Sequence, residues 1–363
     1  MKVIIAAAGT GGHINPGIAI ANEIKKHNPS AQITFIGTPR GLENDLVPRS
    51  GYKLKTIEAY GIQRKLSLNN LRNVLKTLKS YKTANKIIKE IKPDIVIGTG
   101  GYICGPVFSA ATKYKIPTVL HESNAFPGVA VKVLSKKTDT ILVGFEDAKK
   151  RLPKAKKVVV TGTPTKVKKV ELTQEQKENL KKQFNIKNDL PIVIVFGGSQ
   201  GAESINKCFI DIINKKMNKE YQIIWGVGQK KYEEVRNSIK EPYNVTLVPY
   251  IYNMDEVLNL ADLVVARSGA MTITEVAKCG KPAIFIPFPY ATENHQEYNA
   301  KVLVDANAAK MILDKDLSSN KLNDMINEII KDKTILKQMS ENALNKSISN
   351  VQDKIYAEIE KLV

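Results

Sequence analysis

The chain reads as an α/β protein made of two doubly wound domains, each built on a parallel sheet, and three features point there. One arrangement occurs twice: a short apolar run, a glycine-rich turn, then a stretch with helical spacing. Residues 3–8 lead into Gly9-Thr10-Gly11-Gly12-His13, and residues 192–196 lead into Gly197-Gly198-Ser199-Gln200-Gly201. A continuous Val/Ile/Ala run suits a strand buried on both faces, and a glycine turn at its carboxyl end presents backbone N–H groups at the next helix start, where an anion can bind. A second pattern also recurs, Asp94-Ile-Val-Ile-Gly-Thr-Gly-Gly101 and Asp262-Leu-Val-Val-Ala-Arg-Ser-Gly269. Each copy precedes a helix-like stretch and then Lys115-Ile116-Pro117 or the shorter Lys281-Pro282. Strand-length apolar runs also alternate with helical periodicity throughout. Two Rossmann-like, doubly wound parallel-sheet domains facing a cleft, with a ligand between them, is the simplest architecture.

In chain order, strands are expected near 3–8, 33–36, 94–97, 117–120 and 140–143, then near 192–196, 222–225, 245–248, 262–265 and 283–286, with helices between. The Gly162-Thr163-Pro164 break and a charged helix around 173–183 put the join there. The first domain is expected over 1–163 and the second over 164–341. Leu344, Ile348, Val351, Ile355 and Ile359, at steps of three and four, predict an amphipathic helix within 342–363 that packs back on the first domain.

At 363 residues the chain suits two cores. Lys2 is followed by only six apolar residues, too few for a signal core or a bilayer span, so a cytoplasmic protein is expected. Cys104, Cys208 and Cys279 are widely spaced among apolar neighbours and read as reduced structural thiols. The charge is lopsided: residues 1–163 carry 27 Lys/Arg against 10 Asp/Glu, and the remainder 28 against 26. Between 64 and 92 lie nine Lys/Arg and one acid, Glu90, on a stretch where Leu68, Leu71, Val74, Leu75, Leu78 and Tyr81 keep helical spacing. A face carrying Arg64, Lys65, Arg72, Lys76 and Lys79 suits an anionic membrane surface, with an ordinary solvated surface as the alternative. Nucleic acid is disfavoured, because no binding motif or aromatic platform accompanies the charge.

The glycine turns do not fit the common nucleotide motifs. After Gly9-Thr10-Gly11 the third glycine position is Ile14, and neither half carries the ribose acid of a dinucleotide fingerprint. There is no Gly-x-x-x-x-Gly-Lys-Ser/Thr either. Arg267-Ser268-Gly269-Ala270-Met271-Thr272-Ile273-Thr274-Glu275 is more specific. A helix starting near Ala270 aims N–H groups at a diphosphate, and Glu275, one turn in, can accept two ribose hydroxyls, unless it is a first-turn capping acid. Asn294-His295-Gln296-Glu297 follows a strand end, where amides read hydroxyl-rich ligands. His13 ends a glycine turn at a helix start, which favours a neutral imidazole able to accept a proton. His121-Glu122-Ser123-Asn124 sits at another strand end and is expected to line the cleft, with a structural His–Glu pair as the rival. His27 reads as surface. Asp314-Lys315-Asp316 lies outside every strand–turn motif and reads as exposed polar sequence, so no metal site is expected.

Five ordered motifs carry a resemblance. They are Gly9-Thr10-Gly11-Gly12-His13-Ile-Asn-Pro-Gly17, Gly100-Gly101-Tyr102-x-x-Gly105-Pro106, His121-Glu122-Ser-Asn124-x-x-Pro127-Gly128, Gly197-Gly198-Ser199-Gln200-Gly201-Ala202 and Ser268-Gly269-Ala270-Met-Thr272-x-x-Glu275. Over nearly its whole length the chain resembles the bacterial peptidoglycan glycosyltransferases that add N-acetylglucosamine to undecaprenyl-pyrophosphoryl-muramoyl-pentapeptide, converting lipid I to lipid II. The resemblance implies the GT-B architecture, a UDP-N-acetylglucosamine donor held mainly by the second domain, a lipid acceptor at the first, and a peripheral position on the inner face of the cell membrane. It assigns donor contacts to Thr10, Gly11, Gly12 and Asn124, and to Ser199, Gln200, Ile251, Ala270, Met271, Thr272, Glu275 and Gln296. Lys166 stands where the family carries an arginine, a point charge in place of a planar fork. Tyr102 falls on the acceptor side, and Val131 occupies a position that is usually Asn. The implied chemistry is inverting attack by an acceptor hydroxyl, with His13 or Glu122 accepting its proton. The helix start at Ala270 and the Ser199 loop steady the diphosphate, without a required cofactor or protein-bound metal. A lipid glucosyltransferase or a UDP-N-acetylglucosamine epimerase is the enzymatic alternative, and a membrane-surface interaction protein with a vestigial nucleotide fold the non-enzymatic one.

Overall fold

A computed structural model describes residues 1–59, 68–186, 189–198 and 200–363, with only the backbone for residues 68–78. It divides into two compact units, Met1–Thr165 with Ile348–Val363, and Lys166–Ser347.

In the first unit the strands are β1 (Lys2–Ala6), β2 (Gln32–Gly37), β3 (Lys53–Thr56), β4 (Ile95–Gly98), β5 (Thr118–Glu122), β6 (Thr140–Val143) and β7 (Val158–Val160). They form one sheet in the order β3-β2-β1-β4-β5-β6-β7, every pairing parallel. Side chains alternate across the sheet, so Val3 and Ile5 enter one core while Ile4 and Ala6 enter the other. Both faces are therefore covered, as a parallel sheet requires.

In the second unit β8 (Ile192–Phe196), β9 (Gln222–Gly226), β10 (Val245–Val248), β11 (Leu263–Ala266), β12 (Ala283–Phe285) and β13 (Ala309–Met311) form a parallel sheet ordered β10-β9-β8-β11-β12-β13. Its core gathers Trp225, Phe209 and Tyr221. Chain order reverses beside β1 in one sheet and beside β8 in the other, and ligands of open α/β sheets bind outside the carboxyl ends of strands at such a point.

The ten expected strands are present. Three further strands, β3, β7 and β13, are all sheet edges. β3 reads Lys-Leu-Lys-Thr and β13 Ala-Lys-Met, where lysines break the apolar run, and β7 is only Val158–Val160.

The C-terminal segment is not one helix. Helix Lys333–Lys346 stays in the second unit, the chain turns at Asn350 (φ 52°), and helix Val351–Glu360 lies on the first. There Val351, Ile355 and Ile359 join the core beside helix Gly11–His27. His27 is exposed, as expected, and its ring stacks on Tyr356 at a centroid distance of 4.1 Å. Gly162 (φ +85°) makes this possible, since a Cβ there would lie 2.8 Å from Val351 Cγ2. Cys104, Cys208 and Cys279 are buried and unpaired.

Candidate active site

In the first unit the site grows from the carboxyl ends of β1, β4 and β5. Gly9 (φ +96°) turns the chain after β1, and its N–H donates to Glu43 Oε2 at 2.9 Å. Glu43 is fully buried, and its other oxygen accepts from the Thr38 N–H and hydroxyl at 2.7 Å each. Burial alone would raise its pKa; the bonds from Thr38 and Gly9 outweigh it and hold the carboxyl below its ordinary range. Gly37 and Gly41 leave room for this side chain, because a Cβ at either would collide with it. No local motif advertises Glu43, which acts on a turn 34 residues away.

Helix Gly11–His27 starts immediately after Thr10, which is extended and exposed; Gly12, in the first turn, is exposed too. His13 Nδ1 lies 3.1 Å from the Ala8 carbonyl oxygen. A carbonyl only accepts, so Nδ1 carries the proton and a neutral ring keeps its lone pair on Nε2. Gly100 and Gly101, at the end of β4, have φ of +115° and +85° and pass directly against this ring and the Ala8 carbonyl. Thr99 completes the support, its hydroxyl donating to the His13 carbonyl at 2.7 Å. Tyr102 follows, 61% exposed.

At the end of β5 the expectations change. His121 is fully buried, donates from Nε2 to the Gly162 carbonyl at 3.1 Å, and has its pKa pushed down by burial to about 4. It is a neutral core histidine and lines no open surface. Glu122 is 5% exposed: Oε1 accepts the Asn124 N–H (2.9 Å) and side-chain amide (3.0 Å), and Oε2 accepts the Gly128 N–H (2.8 Å). Its carboxylate gathers the 123–128 loop, with three of its acceptor positions taken by N–H donors. Val131, 3% exposed, is core.

In the second unit the parts come from the ends of β8, β10, β11 and β12. Gln200 is exposed, and Gly201 (φ +77°) sits so close to the next strand that a Cβ would lie 2.3 Å from the Val227 carbonyl oxygen. Ser199 lies outside the described residues. Ile251 is buried beyond β10, against Gly226. Helix Ala270–Cys279 begins at Gly269, which offers no side-chain cap, and Ala270, Met271, Thr272 and Glu275 are half-buried on it. The adjoining Ser268 hydroxyl is buried without a partner among the described residues. An uncapped helix start collects N–H donors and the positive dipole end, an arrangement that suits a diphosphate. Half-buried Gln296 accepts the Phe288 N–H at 2.9 Å, and Lys166 is exposed.

Two residues were missed. Arg267 Nη1 pairs with Asp314 Oδ1 at 2.6 Å, with side-chain exposures of 11% and 20%. Asp314 is therefore not the exposed polar residue its Asp-Lys-Asp setting suggested. Of the basic face, Arg64 and Lys65 lie outside the described residues, the side chains of Arg72 and Lys76 likewise, and Lys79 is exposed. Among the described residues no helix is long and apolar enough to cross a membrane.

The glycosyltransferase family 28 N-terminal domain matches residues 3–143 and the family 28 C-terminal domain residues 192–355. The chain is 44% identical over 367 aligned residues to the UDP-N-acetylglucosamine--N-acetylmuramyl-(pentapeptide) pyrophosphoryl-undecaprenol N-acetylglucosamine transferase of Acetivibrio thermocellus, covering 100% of this chain and 98% of that one. It is 43% identical to the enzyme of the same name from Caldanaerobacter subterraneus, covering 98% of each. Among solved structures it is similar to MurG of Acinetobacter baumannii, with a TM-score of 0.80, 29% identity and 99% of both chains covered. The UDP-GlcNAc 2-epimerase of Neisseria meningitidis shares the fold, with a TM-score of 0.67 at 16% identity over 99% of this chain and all of that one.

Proposed function

The chain belongs to glycosyltransferase family 28, and we propose that it moves N-acetylglucosamine from UDP-N-acetylglucosamine to the muramoyl sugar of undecaprenyl-pyrophosphoryl-N-acetylmuramoyl-pentapeptide. The observation that carries this reading is the end-to-end match to relatives named for this transfer.

The residues supply a mechanism. A hydroxyl of the acceptor sugar attacks the anomeric carbon from the face opposite UDP. The bond from that carbon to the diphosphate oxygen breaks, and the configuration inverts. The hydroxyl proton passes to His13 Nε2, the nitrogen left basic by the bond from Nδ1 to Ala8. Glu122 contributes by holding the loop that carries Asn124. Charge growing on the leaving diphosphate meets the N–H groups of the Ala270 helix start and the Ser199 turn, so the proposed step calls for no cofactor. Glu275 accepts the ribose hydroxyls, Gln296 reads the sugar, and Ile251 walls the base. The basic residues between Arg64 and Lys79 bring the chain to the inner, anionic surface of the cell membrane, where a polyprenyl acceptor resides.

Labelled UDP-N-acetylglucosamine supplied with a short-chain lipid I analogue, with and without a chelator, tests the reading. Label in the lipid, dependent on acceptor and insensitive to chelator, is expected. Conversion of the nucleotide sugar to its 2-epimer without acceptor would identify an epimerase instead.

A further inference from the structure

Arg267 gathers four separate stretches of the second unit. It follows β11 and stands three residues before the Ala270 helix start. Nη1 donates to the Ile286 and Pro287 carbonyls at 3.0 Å each and to Asp314 Oδ1 at 2.6 Å, and Nη2 donates to the Ser204 hydroxyl at 2.9 Å. Ser204 donates in turn to the same Asp314 oxygen at 2.6 Å. Ser204 lies in the first turn of helix Glu203–Asn214, three residues after Gly201. Pro287 precedes Phe288, whose N–H is held by Gln296 and whose ring lies 5.6 Å from the guanidinium carbon. Asp314 begins the turn after β13.

A planar guanidinium with several donors ties segments together at fixed angles, and a half-buried one needs an anion to offset its lost hydration. Asp314 is that anion. We propose that Asp314, acting through Arg267 and Ser204, is a positioning residue for the nucleotide sugar: it holds the glycine-turn helix, the Ala270 helix start and the Phe288–Gln296 segment in one arrangement. The inference rests on the donor reading above. Removing the carboxylate leaves a half-buried cation with only backbone carbonyls and one hydroxyl, so the guanidinium turns toward water and the segments lose their common anchor.

The test compares wild type, Asp314→Asn and Asp314→Glu by thermal unfolding with and without UDP-N-acetylglucosamine, and by KM for donor and acceptor alongside kcat. Asp314→Asn is expected to raise donor KM about tenfold and to lose most of the ligand-induced rise in Tm, while acceptor KM and kcat at saturating donor stay within about twofold. Asp314→Glu, which keeps the charge, should recover part of the loss. A merely structural role would lower the active fraction without separating the two KM values, and that result overturns the proposal. So does an unchanged or lowered donor KM in the folded variant. If Asp314→Asn fails to fold, Ser204→Ala, which removes one arm of the network, should raise donor KM about threefold, and an unchanged value overturns the proposal. A wild type that UDP-N-acetylglucosamine fails to stabilise overturns the donor reading and this inference with it, whereas a wild type and variant stabilised alike overturn this inference alone.

Discussion

The imidazole of His13 stands against the bare backbone of Gly100, where a Cβ would lie 2.5 Å from the ring Cδ2 and 2.8 Å from Nε2. The missing side chain is what leaves Nε2 room. Gly100→Ala must both accept a φ of +115° and push the ring aside. A stability loss of about 1–3 kcal/mol is expected, with a fall in kcat of about tenfold or more from the displaced ring. Chemical denaturation and steady-state kinetics read the two effects separately; unchanged kcat would mean that the ring position does not matter.

His13→Ala removes the proposed proton acceptor. Turnover should fall on the order of a hundredfold or more in a protein with unaltered circular dichroism. Near-normal turnover would move the proton to another group, and the three N–H donors already on Glu122 make that residue a poor substitute.

Glu275→Ala should raise the donor KM. Two hydrogen bonds to a charged acceptor correspond to roughly 2–4 kcal/mol of transition-state binding. Titration with UDP alone reads the same loss, since the ribose belongs to the nucleotide; donor kinetics equal to wild type would leave Glu275 as a helix residue without a binding role.

His121 makes the first unit sensitive to acid. Its pKa falls from 6.5 to about 4 because burial disfavours the cation, so between these values the unfolded chain binds more protons than the folded one. Stability therefore rises with pH across that window and is lost as pH drops through it, by up to about 3 kcal/mol from this group. Denaturation midpoints of wild type and His121→Gln between pH 4 and 7 should converge toward the acid end. Parallel curves would show that His121 does not contribute the slope.

Binding to anionic vesicles should weaken with salt, because each Lys or Arg near such a surface contributes about 1 kcal/mol within a Debye length. A Lys65/Arg72/Lys76/Lys79→Glu variant should lose co-sedimentation while keeping UDP-sugar affinity. Equal binding of both proteins would remove this face from the account.

The middle of each sheet was legible as sequence, because a strand covered on both faces must be apolar throughout, and residues 3–6 and 192–196 can be little else. The glycine turns were legible for a similarly local reason: positive φ disfavours a side chain at Gly9, Gly100 and Gly201, and at Gly201 a Cβ would also strike backbone. Edge strands β3, β7 and β13 were not legible because lysines interrupt β3 and β13 and β7 is only three residues long. The polar supports could not be read locally at all. Glu43 reaches Gly9 across 34 residues and Arg267 reaches Asp314 across 47, so neither partner has a neighbour in sequence that explains it. His121 and Glu122 show the same limit in adjacent positions. Period-two alternation along β5 turns one into the core and leaves the other at the strand end to gather a loop, and only the packed sheet sets which faces inward.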